Sequence, residues 1–273
     1  MKIGFIGAGK VGCSLGRYLS AQNELIGYYS RTEASALEAA EITSSRAFPD
    51  VKDLIEACDT LFLTVPDGAI ASTWEEIKSI CSNSSLLQGK NICHCSGALP
   101  SSAFLGAIDV GCCTYSVHPL FAVSSKTTSS EELSKAFFAI EGSPEHLAEI
   151  LGLITSMGND AQVIKTQEKV RYHAAAAMAS NHVVGLYRLA CKELATCGFT
   201  QEGAERALAP LFLGNATHVA NEGPVSALTG PAERGDTATI EKHLECLEGD
   251  TREVYRLLNK TLLDIAKEKH AAQ

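Results

Sequence analysis

Apolar residues fall into two patterns along this chain, and the change between them divides it. Up to Thr166, short apolar runs alternate with stretches in which apolar positions recur every three or four residues. The runs predict strands just before Gly7 and over Glu24–Ser30, Arg46–Phe48, Thr60–Val65, Asn91–Ser96, Cys112–Val117, Lys135–Ile140 and Ala161–Lys165. The periodic stretches predict helices over Lys10–Ser20, Glu33–Glu41, Val51–Cys58 behind an Asp50 N-cap, from Asp67-Gly68 to about Ser82, over Ser101–Ala107 and from Pro144 to Met157. From Gln167 onward only the helical pattern continues. It runs as one long helix over Glu168–Cys197, a Thr200-capped helix to about Asn221, and two more near Thr237–Glu248 and Thr251–Lys269. The expected fold is α/β: a doubly wound parallel Rossmann sheet over residues 1–166, with right-handed crossovers, followed by an all-helical C-terminal domain over 167–273.

The turn out of the first strand carries the most specific chemistry. Gly7-Ala8-Gly9-Lys10-Val11-Gly12 is G-x-G-x-x-G between an N-terminal strand and a helix, the arrangement that cradles a dinucleotide pyrophosphate. Gly7 permits the tight turn, Gly9 lets a phosphate approach the backbone, and Gly12 lets the helix pack on the sheet. The helix N-terminus then points its N–H groups and dipole at the phosphates. An NAD site places a carboxylate at the tip of the second strand to bind the ribose 2′-hydroxyl. Here the tip reads Ser30-Arg31-Thr32. Arg31 suits a 2′-phosphate, Ser30 and Thr32 can donate to it, and Glu33 is expected to face away, so the cofactor reads as NADP(H).

Composition narrows the remaining classes. At 273 residues the chain can bury a full core in two domains. A net charge of −9 without a basic run argues against nucleic acid or an anionic membrane as main partner, and no apolar stretch approaches a membrane span. No signal peptide is expected ahead of the first strand, and in a reducing, cytoplasmic setting no disulfide framework is expected among the ten cysteines. Cys93-His94-Cys95 lacks the spacing of a zinc site, so no metal is expected; in a strand the two cysteines face one side and His94 the other.

In an open parallel sheet, ligands bind beyond the carboxyl ends of the strands. Three polar clusters fall there: Val65-Pro66-Asp67, His94-Cys95-Ser96-Gly97-Ala98, and His118-Pro119-Leu120-Phe121. Val65 and Pro66 are expected on the nicotinamide side. Ser96 is expected to bind substrate oxygen, with Gly97 admitting close approach, and His118 to act as general acid or carboxylate contact. In the long helix Lys169 and His173 are four apart and share a face, with Ser180 near the same stripe and Asn181 beside it. A partly desolvated Lys169 can protonate a carbonyl oxygen during hydride transfer. Arg234, in the loop Gly230-Pro231-Ala232-Glu233-Arg234-Gly235-Asp236, is a candidate carboxylate clamp.

These segments, together with Tyr172-His173-Ala174-Ala175 and Leu228-Thr229-Gly230-Pro231, resemble over nearly the whole chain a bacterial family of NADP oxidoreductases that joins a Rossmann-like domain to a C-terminal domain of unknown function. More distantly the chain resembles the 6-phosphogluconate dehydrogenase-like superfamily, including β-hydroxyacid dehydrogenases, pyrroline-5-carboxylate reductases and prephenate dehydrogenases. That resemblance implies a helical domain that dimerises and completes the active site. The β-hydroxyacid enzymes follow their lysine four residues later with asparagine, where this chain has His173. The expected function is NADP-dependent hydride transfer to or from a small carbonyl, imine or hydroxy acid. Lys169, His173 and His118 are the proton-transfer candidates, and Ser96, Gly97, Asn181 and Arg234 the substrate contacts. The alternative is a non-catalytic NADP-binding sensor or scaffold. The apolar circumference of Glu168–Cys197 further predicts a homodimer through the C-terminal helices.

Overall fold

The structure, a computed structural model, describes residues 1–82 and 85–271. The last two residues of the segment expected to run to Gln273 thus lie outside the described residues. The strands are β1 (Lys2–Ile6), β2 (Glu24–Tyr29), β3 (Arg46–Ala47), β4 (Thr60–Leu63), β5 (Asn91–His94), β6 (Cys113–Leu120), β7 (Phe137–Gly142) and β8 (Ala161–Val163). The helices between them are α1 (Lys10–Leu19), α2 (Glu33–Thr43), α3 (Val51–Ala57), α4 (Asp67–Ile80), α5 (Ser130–Leu133) and α6 (Leu147–Thr155). After β8 come α7 (Lys169–Ala179), α8 (Asn181–Thr196), α9 (Gln201–Ala227), α10 (Thr237–Cys246) and α11 (Gly249–Ala271). By packing, the chain divides into Met1–Ala177 and Met178–Gln273. The start of α7 therefore packs with the sheet.

The strands form one sheet in the order β3-β2-β1-β4-β5-β6-β7-β8, with β3 through β6 mutually parallel. Period-2 alternation sorts its side chains into two cores. Ile3, Phe5, Phe62, Cys93 and Phe138 face α1, α2 and α6. Ile6, Leu61, Leu63 and Ile92 face α3 and α4. Cys93 and Cys95 belong to the first core and His94 packs on Phe104 of the second, as strand alternation requires. Six of the ten cysteines are buried.

Four expectations need correction. The sheet is not wholly parallel: β7 runs antiparallel to β6, and β8 parallel to β7. The connection from β6 holds only the four-residue α5, too little helix to carry the chain back for a parallel crossover. The long helix expected over Glu168–Cys197 is two, because Ser180 leaves helical geometry (φ −122°, ψ −82°) between α7 and α8. Serine is a weaker helix former than the alanines before it, and its side chain makes no capping hydrogen bond to α8. The helix expected from Pro144 begins at Leu147. His146 is held out of it by a backbone bond to the Tyr115 hydroxyl (3.0 Å) and a ring bond to Asn91 Oδ1 (2.8 Å). The helix expected over Ser101–Ala107 is instead two short 3-10 turns, Ser101–Ala103 and Ile108–Val110.

In the second unit α9 packs on α8 and α11, and α10 on α11. Thr200 caps α9 through Gly203 N, and Gly223 (φ 79°, ψ 165°) kinks it beside Pro224, where the sequence signals a break. No helix among the described residues is long and apolar enough to cross a membrane.

Trp74 is the largest fully buried side chain and anchors α4. Its indole N–H donates to Leu105 O (2.9 Å) and its ring meets Phe104 edge-on at 5.6 Å. Replacing it with alanine leaves a large cavity and strands the Leu105 carbonyl. Trp74→Ala is expected to lower unfolding free energy by about 3–5 kcal/mol. Denaturant titration checks this; a loss below about 1 kcal/mol would show that α4 is held by other contacts.

Candidate active site

The glycine turn and the tip of β2 form one wall of a cavity of about 470 Å³. Gly7 sits at φ +102°, where a methyl group would stand 2.8 Å from the Thr64 carbonyl. A methyl group on Gly12 would stand 2.4 Å from Thr64 Oγ1, whose hydroxyl donates to Gly7 O (2.7 Å). On Gly9 it would meet no atom within 4 Å, so this backbone faces open space. The three glycines therefore differ in role: strained turn, open approach and close helix packing. Gly7, Ala8, Gly9, Ser30, Arg31, Thr32, Val65 and Pro66 all line the cavity. Lys10, Val11 and Gly12 do not; they form the first turn of α1 behind it. Glu33 opens α2 and is not among the lining residues. Open backbone at Gly9, with hydroxyls and a guanidinium at the strand tip, fits a dinucleotide phosphate chain with a 2′-phosphate. Sequence reasoning missed Tyr29, Ser35, Thr64, Thr73, Glu76 and Lys126. A helix-face count could have flagged Thr73 and Glu76, but nothing local flags Lys126.

One residue beyond Pro66, Asp67 accepts a hydrogen bond from Ser96 Oγ (2.7 Å), joining the cavity wall to a second polar cluster. Ser96 Oγ also accepts from the N–H groups of Ala98 (3.3 Å) and Leu99 (3.0 Å). Its hydroxyl is thus committed within the turn, where sequence reasoning expected it to meet substrate. His94 braces the same turn: Nδ1 accepts from Ser96 N (3.2 Å) and Nε2 donates to Pro100 O (3.1 Å). Burial holds its pKa below the ordinary value, in keeping with a neutral ring.

Lys169, Tyr172 and His173 come together on this turn from the first residues of α7. Lys169 is 1 % exposed. Its ammonium donates to Ser96 O (2.9 Å) and Ser116 Oγ (2.6 Å), and Ser116 Oγ donates to Ser96 O (3.1 Å). Burial pulls the Lys169 pKa down to about 8 against the opposing pull of Glu141 and Asp67. Glu141, itself buried, accepts from Ser101 N (2.7 Å), Ser101 Oγ (2.9 Å) and Thr166 Oγ1 (2.7 Å). His118 Nδ1 lies 2.8 Å from the Tyr172 hydroxyl, and the His118 and His173 rings meet edge-on at 6.1 Å. Burial, with Lys169 and His173 adding to it, lowers the His118 pKa to about 4, while burial raises that of Tyr172 to about 12. A methyl group on Gly97 would stand 2.4 Å from His173 Nδ1 and 2.9 Å from His118 Nε2. The bare glycine backbone is what lets both imidazoles approach. Asn181 and Arg234 belong to the second unit, where both are exposed. Tyr172, Ser116 and Glu141 are residues of this cluster that sequence reasoning left without a role.

Residues 2–91 match the family described as NADP oxidoreductase, coenzyme F420-dependent, and residues 136–262 match a domain of unknown function, DUF2520. Protein TM1727 from Thermotoga maritima superimposes with a TM-score of 0.76 at 26% identity, covering 98% of this chain and 99% of that one. A candidate NADP oxidoreductase, BF3122 from Bacteroides fragilis, gives 0.71 at 23% identity over 96% and 98%. A pyrroline carboxylate reductase from Plasmodium falciparum, solved with NADP bound, gives 0.60 at 15% identity over 100% and 97%. The last two likenesses establish a shared fold. No curated protein matches the sequence. Residues 2–91 are therefore the NADP oxidoreductase part of the Rossmann sheet, and the cofactor is NADP.

The His118 pKa makes stability depend on pH. It is about 4 in the folded chain against an ordinary 6.5. Between those values the unfolded chain binds a proton that the folded chain refuses. This contribution is fully present above about pH 6.5 and is lost as pH falls towards 4. His118→Gln is expected to lose less stability than wild type over that interval, measured by denaturant midpoints. Parallel pH profiles would show that His118 titrates normally.

Proposed function

We propose that this chain, which joins an NADP oxidoreductase Rossmann domain to a DUF2520 domain, transfers hydride between NADPH and a small carbonyl, imine or hydroxy acid, with the His118–Gly97–His173 crevice as its reacting centre. The observation that carries this reading is Gly97. Its missing side chain lets two imidazoles converge on the turn beyond β5, and the Ser96–Asp67 bond connects that turn to Val65 and Pro66 of the cofactor cavity. NADPH, when bound, supplies the hydride; Gly7, Ala8, Gly9, Ser30, Arg31 and Thr32 hold it, and Val65 and Pro66 flank its nicotinamide.

The residues of the crevice handle the proton and orient the substrate. Tyr172, kept protonated by its raised pKa, donates to His118 Nδ1 and so leaves the imidazole proton on Nε2, on the Gly97 side. A neutral imidazole in that tautomer donates a hydrogen bond to the oxygen or nitrogen of the reacting double bond without protonating it. His173, exposed in this unit, is the proton donor and acceptor. Lys169 is a positioning residue, because its ammonium is buried and bonded to Ser96 and Ser116. Ser96 likewise shapes the turn that presents Gly97.

This assignment is tested by NADPH oxidation against a panel of keto acids, aldehydes and imines. With an active substrate, His173→Ala is expected to lower kcat by about 10²–10⁴-fold with cofactor Kd nearly unchanged. Tyr172→Phe should lower kcat less and alter its pH profile by releasing the tautomer. If both variants stay within a few-fold of wild type, the crevice is not the reacting centre.

The helical unit is proposed to pair with a second copy. Among the described residues of α8 the one buried residue is Cys191, whereas Val184 is 72% exposed, and Leu211 and Leu213 of α9 are 70% and 63% exposed. Exposed apolar side chains at this density on neighbouring helices mark an association surface. Light scattering at micromolar concentration should give twice the chain mass, and Leu211→Glu with Leu213→Glu should return it to one. A monomer at every concentration would refute this.

A further inference from the structure

Lys126 lines the same cavity as Arg31, although it lies far along the chain in the loop after β6. That loop is fastened to α1 at two points. Ser14 Oγ donates to Ser125 O (2.8 Å), and Arg17 donates to the carbonyls of Thr127 and Thr128. Within the loop, Thr128 Oγ1 donates to Ser125 O (3.0 Å), and the Ser125 and Thr127 hydroxyls bond to each other (2.9 Å). The backbone on both sides of Lys126 is therefore held, and its long side chain is aimed rather than free. Its ammonium pairs with Glu38 Oε2 of α2 at 2.7 Å.

The cavity is lined by two cations, Arg31 and Lys126, and, beside Arg31 in the sequence, by the hydroxyls of Ser30, Thr32 and Ser35. The carboxylate lining the cavity, Glu76, comes from α4. Two cations with several hydroxyl donors match a dianionic phosphate monoester better than a ribose diol. We infer that Lys126 is a second specificity residue for the 2′-phosphate of NADP, supplied by the loop between β6 and β7 and steadied by Glu38. This rests on the assignment of Arg31 to the same phosphate.

The test uses 2′,5′-ADP and 5′-AMP, which differ by the 2′-phosphate alone, titrated against the full chain by calorimetry. Lys126→Met is expected to weaken 2′,5′-ADP about tenfold, as loss of one charge-assisted contact does, and to leave 5′-AMP within twofold. Lys126→Arg should retain 2′,5′-ADP binding within a few-fold. Unchanged 2′,5′-ADP binding in Lys126→Met, or an equal loss for both probes, would overturn the inference. Arg31→Ala separates the two levels: if it loses 2′,5′-ADP while Lys126→Met does not, Lys126 alone is misassigned. If wild type binds both probes equally, the assignment of Arg31 fails with it.

Discussion

The buried ammonium of Lys169 is the constraint on which the site's geometry depends. A charge removed from water costs several kcal/mol unless its hydrogen bonds and a counter-charge replace the lost hydration. Here Ser96 O and Ser116 Oγ take the bonds, and Glu141 and Asp67 favour the charge. Glu141 is itself held by Ser101 and Thr166. One electrostatic network thus ties the turn after β5, the middle of β6 and the end of β7 to the first residue of α7. Tyr172 and His173 follow three and four residues after it, so the anchored lysine sets the Tyr172 ring against His118 and the His173 ring against Gly97.

The first five strands and the glycine turn were legible because their signals are local. Buried parallel strands read as unbroken apolar runs, and each glycine has its own steric reason within a few residues. The direction of β7 was not legible: its apolar run looks the same either way, and the length of helix before it decides. Ser180 and His146 show the same limit. Each sits in a sequence that permits helix, and each is taken out of it, Ser180 by a break in backbone angles and His146 by bonds to Tyr115 and Asn91.

Within the site, periodicity put Lys169 and His173 on one helix face, and both do meet the turn at Ser96 and Gly97. What periodicity cannot tell is which of the two is sealed and which is open. That follows from Ser116, a residue of β6 without any motif, whose hydroxyl helps to enclose the ammonium. Ser96 was read as a substrate contact from its place at a strand end, yet its hydroxyl closes a turn through Asp67, Ala98 and Leu99. Tyr172 and Lys126 depend on partners 54 and 88 residues away, so no window of sequence contains their chemistry.

The contact between Gly12 and Thr64 bears on how such a chain can drift. The Thr64 hydroxyl that closes the turn at Gly7 also fills the space a side chain at residue 12 would need. Shrinking residue 64 does not make room for alanine at residue 12, because the Gly7 carbonyl oxygen would still stand 2.5 Å from its methyl group, and it gives up the bond to Gly7 O. Residue 12, on the first helix, is therefore held as glycine by main chain that no side-chain substitution removes, whereas residue 64, past the fourth strand, can change at the cost of one hydrogen bond. Drift at residue 12 is blocked by backbone geometry, whatever the substrate and whatever stands at residue 64.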